Sequence, residues 1–116
     1  MFPSKQRLTE ADFKVLYGRG RRCQGVVMNL IYCKNNLGFN RFGVVVANKI
    51  SNKASERNLL KRRIRYYLRK LNKKVSQGHN LAIVAKAGSL GEEPAGLKNE
   101  LIQLLAKAGL SRQESI

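Results

Sequence analysis

Acidic side chains are scarce in this sequence. Asp and Glu together number 7 against 23 Lys and Arg, which leaves a net charge of +16 with histidine neutral. A surplus of that size repels itself within a compact body and calls for a polyanionic partner. Nucleic acid and an anionic membrane surface are the candidates, and a solvated basic surface is the bland alternative. The material for protein-borne hydrolysis is thin as well. Glu10, Asp12, Glu56, Glu92, Glu93, Glu100 and Glu114 offer no evident carboxylate cluster drawn from separated segments. General acid–base or metal-assisted cleavage needs one. Glu10 and Asp12 read as first-turn charges on a helix, and Glu92-Glu93 as a solvated loop pair. The single histidine, His79, stands at the mouth of an apolar run and reads as structural or solvated.

Cysteine is also rare. Cys23 and Cys33 show no CxxC spacing, and with one histidine they cannot complete a zinc site. On one strand their separation would be about 33 Å, too far for a disulfide. Both are expected to be ordinary buried or half-buried thiols without thiolate activation. No apolar run approaches the roughly 18 residues of a membrane span. Met1–Gln6 lacks the apolar stretch of an export signal. The expectation is a cytoplasmic protein with no membrane partner.

What is present suits one small domain spanning residues 1–116. The chain has 116 residues, and 43% of them are apolar, enough for a single core at this size. Residues 1–8 read as a basic arm, flexible over 1–6, and the tail over 111–116 reads as frayed. Thr9 is an N-cap candidate ahead of Glu10 and Asp12. Phe13, Leu16 and Tyr17 recur at helical spacing, and Gly18 and Gly20 stop that helix. Arg22 to Lys34 alternates like one strand, Asn35 to Gly38 reads as a turn, and Phe39 to Lys49 alternates again. An antiparallel hairpin of these two strands is expected. In the second, Phe42, Val44 and Val46 share one face while Gly43, Val45 and Ala47 share the other. Ser51 to Lys74 is the longest helix, with Leu60, Ile64, Tyr67, Leu68, Leu71 and Val75 in one stripe. Gly78 closes it. Leu81 to Ala85 suits a central strand covered on both faces. After a loop over Gly88–Gly96, Leu97, Leu101, Leu104, Leu105 and Ala108 mark a last amphipathic helix that ends at Gly109. The order α-β-β-α-β-α predicts an α+β fold, a sandwich of helices on a three- to four-stranded sheet.

The long helix carries the functional signal. Arg57, Lys61, Arg65 and Arg69 follow at intervals of four, so they form a row of like charges that a free helix gains nothing from. Phosphates would offset that repulsion, and guanidinium forks fit phosphate oxygens bidentately. Asn58 adds a neutral donor and acceptor near the helix start, where free N–H groups also favour phosphate. A solvated basic face, or a helix for a calmodulin-like partner, is the competing explanation. No helix-turn-helix or zinc finger is evident, which favours RNA over DNA.

At Arg57-Asn58-Leu59-Leu60-Lys61-Arg62-Arg63-Ile64-Arg65 the chain resembles the bacterial ribonuclease P protein family. That family's signature is an Arg-Asn-Arg core followed by a basic helix. Leu59 departs from it, standing where the family usually has Arg, and Arg63 is the nearest substitute. Ala11 to Tyr17 resembles the family's first helix, Arg41 to Lys49 the strand before the signature, and Leu81 to Lys86 a later strand. The resemblance covers about residues 7–108. It implies a ribosomal-protein-S5-domain-2-like fold with a left-handed βαβ crossover, where general rules favour a right-handed one. It implies a non-catalytic subunit of an endoribonuclease, with no cofactor bound by the protein alone. A large RNA with bound Mg²⁺ would be the catalyst. The implied partners are that RNA and precursor tRNA. Arg57, Asn58, Lys61, Arg62, Arg65 and Arg69 would contact the catalytic RNA. Phe13 and Tyr17, with Val46, Asn48 and Lys49 nearby, would line a cleft for the single-stranded 5′ leader. Tyr32 is a further candidate for the cleft. The alternatives are a general ribosomal-type RNA-binding protein, a protein-only nuclease and a DNA-binding structural protein.

Overall fold

The computed structural model describes residues 4–111. Helix α1 spans Glu10–Arg19. Its start is fixed by a reciprocal cap: Asp12 N–H donates to the Thr9 hydroxyl, and Thr9 N–H donates to the Asp12 carboxylate. Two donors that a helix start leaves orphaned are thereby satisfied. Gly20 is the C-cap, so Gly18 lies within the helix rather than stopping it.

The segment expected as one strand over Arg22–Lys34 is two strands. β1 covers Arg21–Gln24 and β2 covers Met28–Lys34, paired antiparallel with Cys23 opposite Leu30. The reversal between them is held from far along the chain. The Glu100 carboxylate accepts from Val26 N–H at 3.1 Å and from Val27 N–H at 2.9 Å. A side chain at Gly25 would run into the Met28 carbonyl and the Glu100 carboxylate, so only glycine allows the turn to close this tightly. The order is therefore α-β-β-β-α-β-α. Glu100→Ala strands two backbone donors in a partly buried turn, and is expected to cost about 1–3 kcal/mol. Urea unfolding should show a lower midpoint at an unchanged m-value.

β3 is Arg41–Val45, shorter than the expected Phe39–Lys49, and β4 is His79–Ala85. The sheet order is β1-β2-β4-β3. Asn35–Gly38 does turn the chain, but the expected hairpin of β2 with β3 does not form, because β4 lies between them. Ile83 faces Leu30 of antiparallel β2 and Val44 of parallel β3. The physical reason lies in β4 itself. Leu81, Ala82 and Ile83 are all 0% exposed, and a strand apolar on both faces is stable only in the middle of a covered sheet.

Helix α2 spans Ala54–Leu71, followed by a 3-10 turn at Asn72–Lys74, and α3 spans Pro94–Lys107. α3 begins earlier than Leu97 because Pro94 presets the first helical residue, which places Gly96 inside the helix. Leu60, Ile64 and Leu68 of α2 meet Leu97, Leu101 and Leu104 of α3 over Leu30, Val44 and Ile83 of the sheet. α1 covers the opposite face, with Leu16 packed on Ile31 and Ala82. The two cysteines stand on different strands against opposite clusters, and both are free.

Polar ties close the ends. Asn40 is fully buried. Its side chain donates to Asn72 Oδ1 at 3.1 Å and accepts from His79 N–H at 2.9 Å, joining the end of α2 to the starts of β3 and β4. His79 Nδ1 lies 3.2 Å from the Ser76 carbonyl, a local structural contact. Residues 4–8 do not form a loose arm. After a 3-10 turn at Ser4–Gln6, Arg7 bridges Phe42 in parallel, and Leu8 N–H donates to the Phe42 carbonyl at 2.9 Å. Ser111 likewise bridges Val75. The expectations for residues 1–3 and 112–116 lie outside the described residues.

Candidate nucleic-acid interface

The outward side of α2 is concave. A shallow basin of about 790 Å³ is lined by Asn58, Arg62, Arg65, Tyr66, Arg69, Lys70 and Lys73. Five of these are cations and none is a carboxylate. The helix exposes them because its apolar stripe, Leu60, Ile64 and Leu68, turns the other way. Residues at i, i+3 and i+4 then gather on the free side. Among the described residues no hydrogen bond or ion pair engages the side chains of Arg62, Arg65 or Arg69.

The row Arg57-Lys61-Arg65-Arg69 is not one exposed ridge. Each step of four residues rotates about 40° round a helix, so the row winds from flank to front. Arg57 is half-buried and donates from Nη1 to the Ser51 carbonyl at 2.8 Å. It fastens the segment before α2 and, with half-buried Lys61, stays out of the basin. Arg65 and Arg69 are exposed within it. Asn58 lies in the basin too, but α2 starts at Ala54, so Asn58 sits a full turn inside and its N–H belongs to the helix. Leu59 is exposed and Arg63 half-buried. Sequence reasoning missed Tyr66, Lys70 and Lys73. The signal was present, since Arg62, Tyr66, Lys70 and Lys73 follow at four, four and three.

A second, smaller cleft of about 160 Å³ lies at the outer edge of β3, lined by Arg7, Leu8, Phe13, Phe42, Gly43, Val44 and Arg65. Phe13 reaches it from α1. Its ring occupies the space that a Cβ on Gly43 would need, so glycine at that position is what lets the ring lie on the strand. Tyr17 follows one turn later, 46% exposed, with its ring 6.3 Å from that of Phe13 and inclined by 25°. Asp12 adds an ion pair to Arg41 of β3 at 3.3 Å, which tethers α1 beside this cleft. Arg65 lines both the basin and the cleft.

Of the residues expected at the cleft, Tyr17 stands beside Phe13 without lining it, and four others are elsewhere. Val46 is 6% exposed in the core beneath α2 and α3, because it shares the strand face of Phe42 and Val44, away from α1. Asn48 and Lys49 are exposed in the turn after β3 and do not line the cleft. Tyr32 packs on the α2–α3 core and donates to the Ala108 carbonyl at 3.3 Å. Burial, and then the nearby Asp12 carboxylate, push the Cys33 thiol above its ordinary pKa, the reverse of an activated nucleophile.

A cationic, Arg-rich helix face beside an aromatic cleft, on one α+β domain, defines a nucleic-acid-binding protein. Residues 2–109 match the family described as Ribonuclease P. A "Ribonuclease P protein component" from Microcystis aeruginosa is 36% identical over 103 residues, covering 85% of this chain and 86% of the relative. Another from Syntrophomonas wolfei is 32% identical over 111 residues, covering 95% and 92%. The fold is shared with the solved RNase P protein of Staphylococcus aureus, at TM-score 0.84 and 22% identity over 92% of this chain and 98% of that one. The Thermotoga maritima RNase P protein gives TM-score 0.80 and 24% identity over 87% and 96%. The chain belongs to the bacterial ribonuclease P protein component family.

Proposed function

We infer that this chain binds RNA on two sides: the ribonuclease P RNA against α2, and the single-stranded 5′ leader of precursor tRNA in the cleft beside Phe13. As a member of its family the chain is a subunit of the ribonuclease P ribonucleoprotein, the endoribonuclease of tRNA processing, and partners with its RNA. The observation that carries the finer reading is the basin of Arg62, Arg65, Arg69, Lys70 and Lys73 with no acid among them. Guanidinium and ammonium groups spread along a helix neutralise a row of phosphates. Phe13 and Tyr17 give bases a surface that takes any sequence, as a variable leader requires. That Arg65 lines both hollows supports a reading in which the two nucleic acids lie side by side.

In this reading the cut is made by the RNA subunit with Mg²⁺. A guanidinium offers N–H donors and no acceptor, so it suits holding a phosphate rather than taking up a proton. Among the described residues no three His, Cys, Asp or Glu side chains group closely enough to hold a metal ion. The cationic basin repels a divalent cation, so the chain's own residues do not suit Mg²⁺, and the metal is assigned to the RNA. No helix among the described residues is long and apolar enough to cross a membrane. We assign the protein to the cytoplasm, where its RNA partners are made.

Reconstitution is the test. The protein is mixed with a cognate ribonuclease P RNA at low Mg²⁺, and 5′ processing of a precursor tRNA is followed. Cleavage faster than by RNA alone is expected, because basic side chains offset phosphate repulsion that Mg²⁺ otherwise screens. Tight binding of the RNA with no faster cleavage would leave only a general ribosomal-type RNA-binding role.

A further inference from the structure

Tyr66 is the one aromatic ring in the cationic basin of α2. It is 54% exposed, while the other side chains that wall the basin are charged or amide. Phosphate needs at most the hydroxyl of a tyrosine and not its ring, and the exposed half of the ring adds nothing to the core. Its orientation is nevertheless set. The half-buried Tyr67 ring meets it edge-on, with centroids 5.4 Å apart and planes at 74°. Lys70 Nζ lies 5.0 Å from its centroid, one helical turn on. Arg62, Arg65, Arg69 and Lys73 surround the same hollow.

The simplest competing explanation is that Tyr66 only shelters the Lys70 ammonium. An exposed cation–π contact on a flexible lysine is weaker than the stacking of a nucleobase on the same ring. A base stacked there therefore displaces nothing of comparable strength, and Lys70 moves with the flanking phosphate. Leu59, also exposed, lies seven residues earlier and about 20° away round the helix. Leu59 thus continues the apolar strip of Tyr66.

We propose that Tyr66 is a base-stacking residue: α2 receives one unpaired nucleotide of the RNA, its base on the Tyr66 ring and its flanking phosphates on Arg62, Arg69 and Lys70. This deepens the reading of α2 as the RNA-facing helix and rests on it. A purely paired segment presents phosphates but no free base face. The site therefore distinguishes a bulge or loop from a continuous duplex, which a row of cations alone does not.

The experiment compares wild type, Tyr66→Leu, Tyr66→Phe and Arg69→Ala for affinity towards ribonuclease P RNA across a salt series. Leucine suits an exposed helix position, so folding is retained. Tyr66→Leu is expected to lose about ten-fold in affinity at an unchanged salt slope, since a stacked base releases no counterion. Tyr66→Phe keeps the wild-type affinity, and Arg69→Ala lowers the slope. The chain contains no tryptophan, so Tyr66→Trp supplies a single indole reporter. Its fluorescence should be quenched by a two-stranded, blunt-ended RNA duplex with one bulged purine, and much less by the same duplex without the bulge. Wild-type affinity in Tyr66→Leu, or equal quenching by both duplexes, overturns the proposal. If Arg69→Ala still lowers the slope in that case, the RNA-binding role of α2 stands without it. If neither substitution alters RNA binding, both readings fall together.

Discussion

Alanine at Arg62, Arg65 and Arg69 together is expected to remove tight binding of ribonuclease P RNA and leave the domain folded. Each guanidinium that neutralises a phosphate releases about 0.7–0.9 of a counterion, so the slope of log affinity against log salt should flatten by about 2–3. Charge-assisted hydrogen bonds contribute about 1.5–3 kcal/mol each. The combined loss at moderate salt should be on the order of 100-fold or more. Stability should move the other way. Arg65 and Arg69 are neighbours at i,i+4 and repel each other by a few tenths of a kcal/mol, so the melting temperature is expected to hold or rise slightly. Filter binding across a salt series, beside a thermal melt, checks both signs. Weaker binding at an unchanged slope would mean that these side chains hold something other than phosphate.

The second large effect belongs to the cleft. Phe13→Ala removes a ring worth about 1–3 kcal/mol to a stacked base, and affinity for leader-bearing precursor should fall about ten-fold further than affinity for mature tRNA. Phe13 also packs on the cluster around Leu16, so general destabilisation is a real concern. Gly43→Ala addresses it. The new methyl collides with the Phe13 ring and pushes it from its place without deleting it. The same preference against precursor is expected from both variants in competition binding with the two tRNA forms. Equal loss for precursor and mature tRNA would assign the ring to packing alone.

The parts of this fold legible in the sequence are those set by local chemistry. Thr9 and Asp12 sit at capping-box spacing, the Leu60-Ile64-Leu68 stripe has helical period, and the Leu81–Ala85 run is too apolar for any place but the centre of a sheet. What escaped depends on partners far along the chain. Arg22–Lys34 alternates through its turn, and the break at Gly25–Val27 is visible only with Glu100 in place. Pairing of β2 with β4 rather than β3 is likewise a long-range choice that a short turn does not reveal.

The site divides the same way. The cationic character of α2 was plain, but the rotation of its four-residue row took Arg57 and Lys61 out of the basin. Val46 was lost to strand alternation, which sends it to the core. Tyr66 was hidden because an aromatic on an amphipathic helix is more often a core residue, and only its exposure reveals otherwise.

The central position of β4 bears on how the protein comes into being. A ribosome delivers β2 and β3 before the strand that joins them. Until residue 85 emerges, the nascent chain carries two strands with open edges and a strongly basic helix with no sheet to rest on. Contacts of high sequence separation close late, and here β4 joins β2 to β3 before α3 and its Glu100 complete the core and the β1–β2 turn. Closure of the sheet thus waits for the synthesis of β4, and the polycation is made before its scaffold is complete.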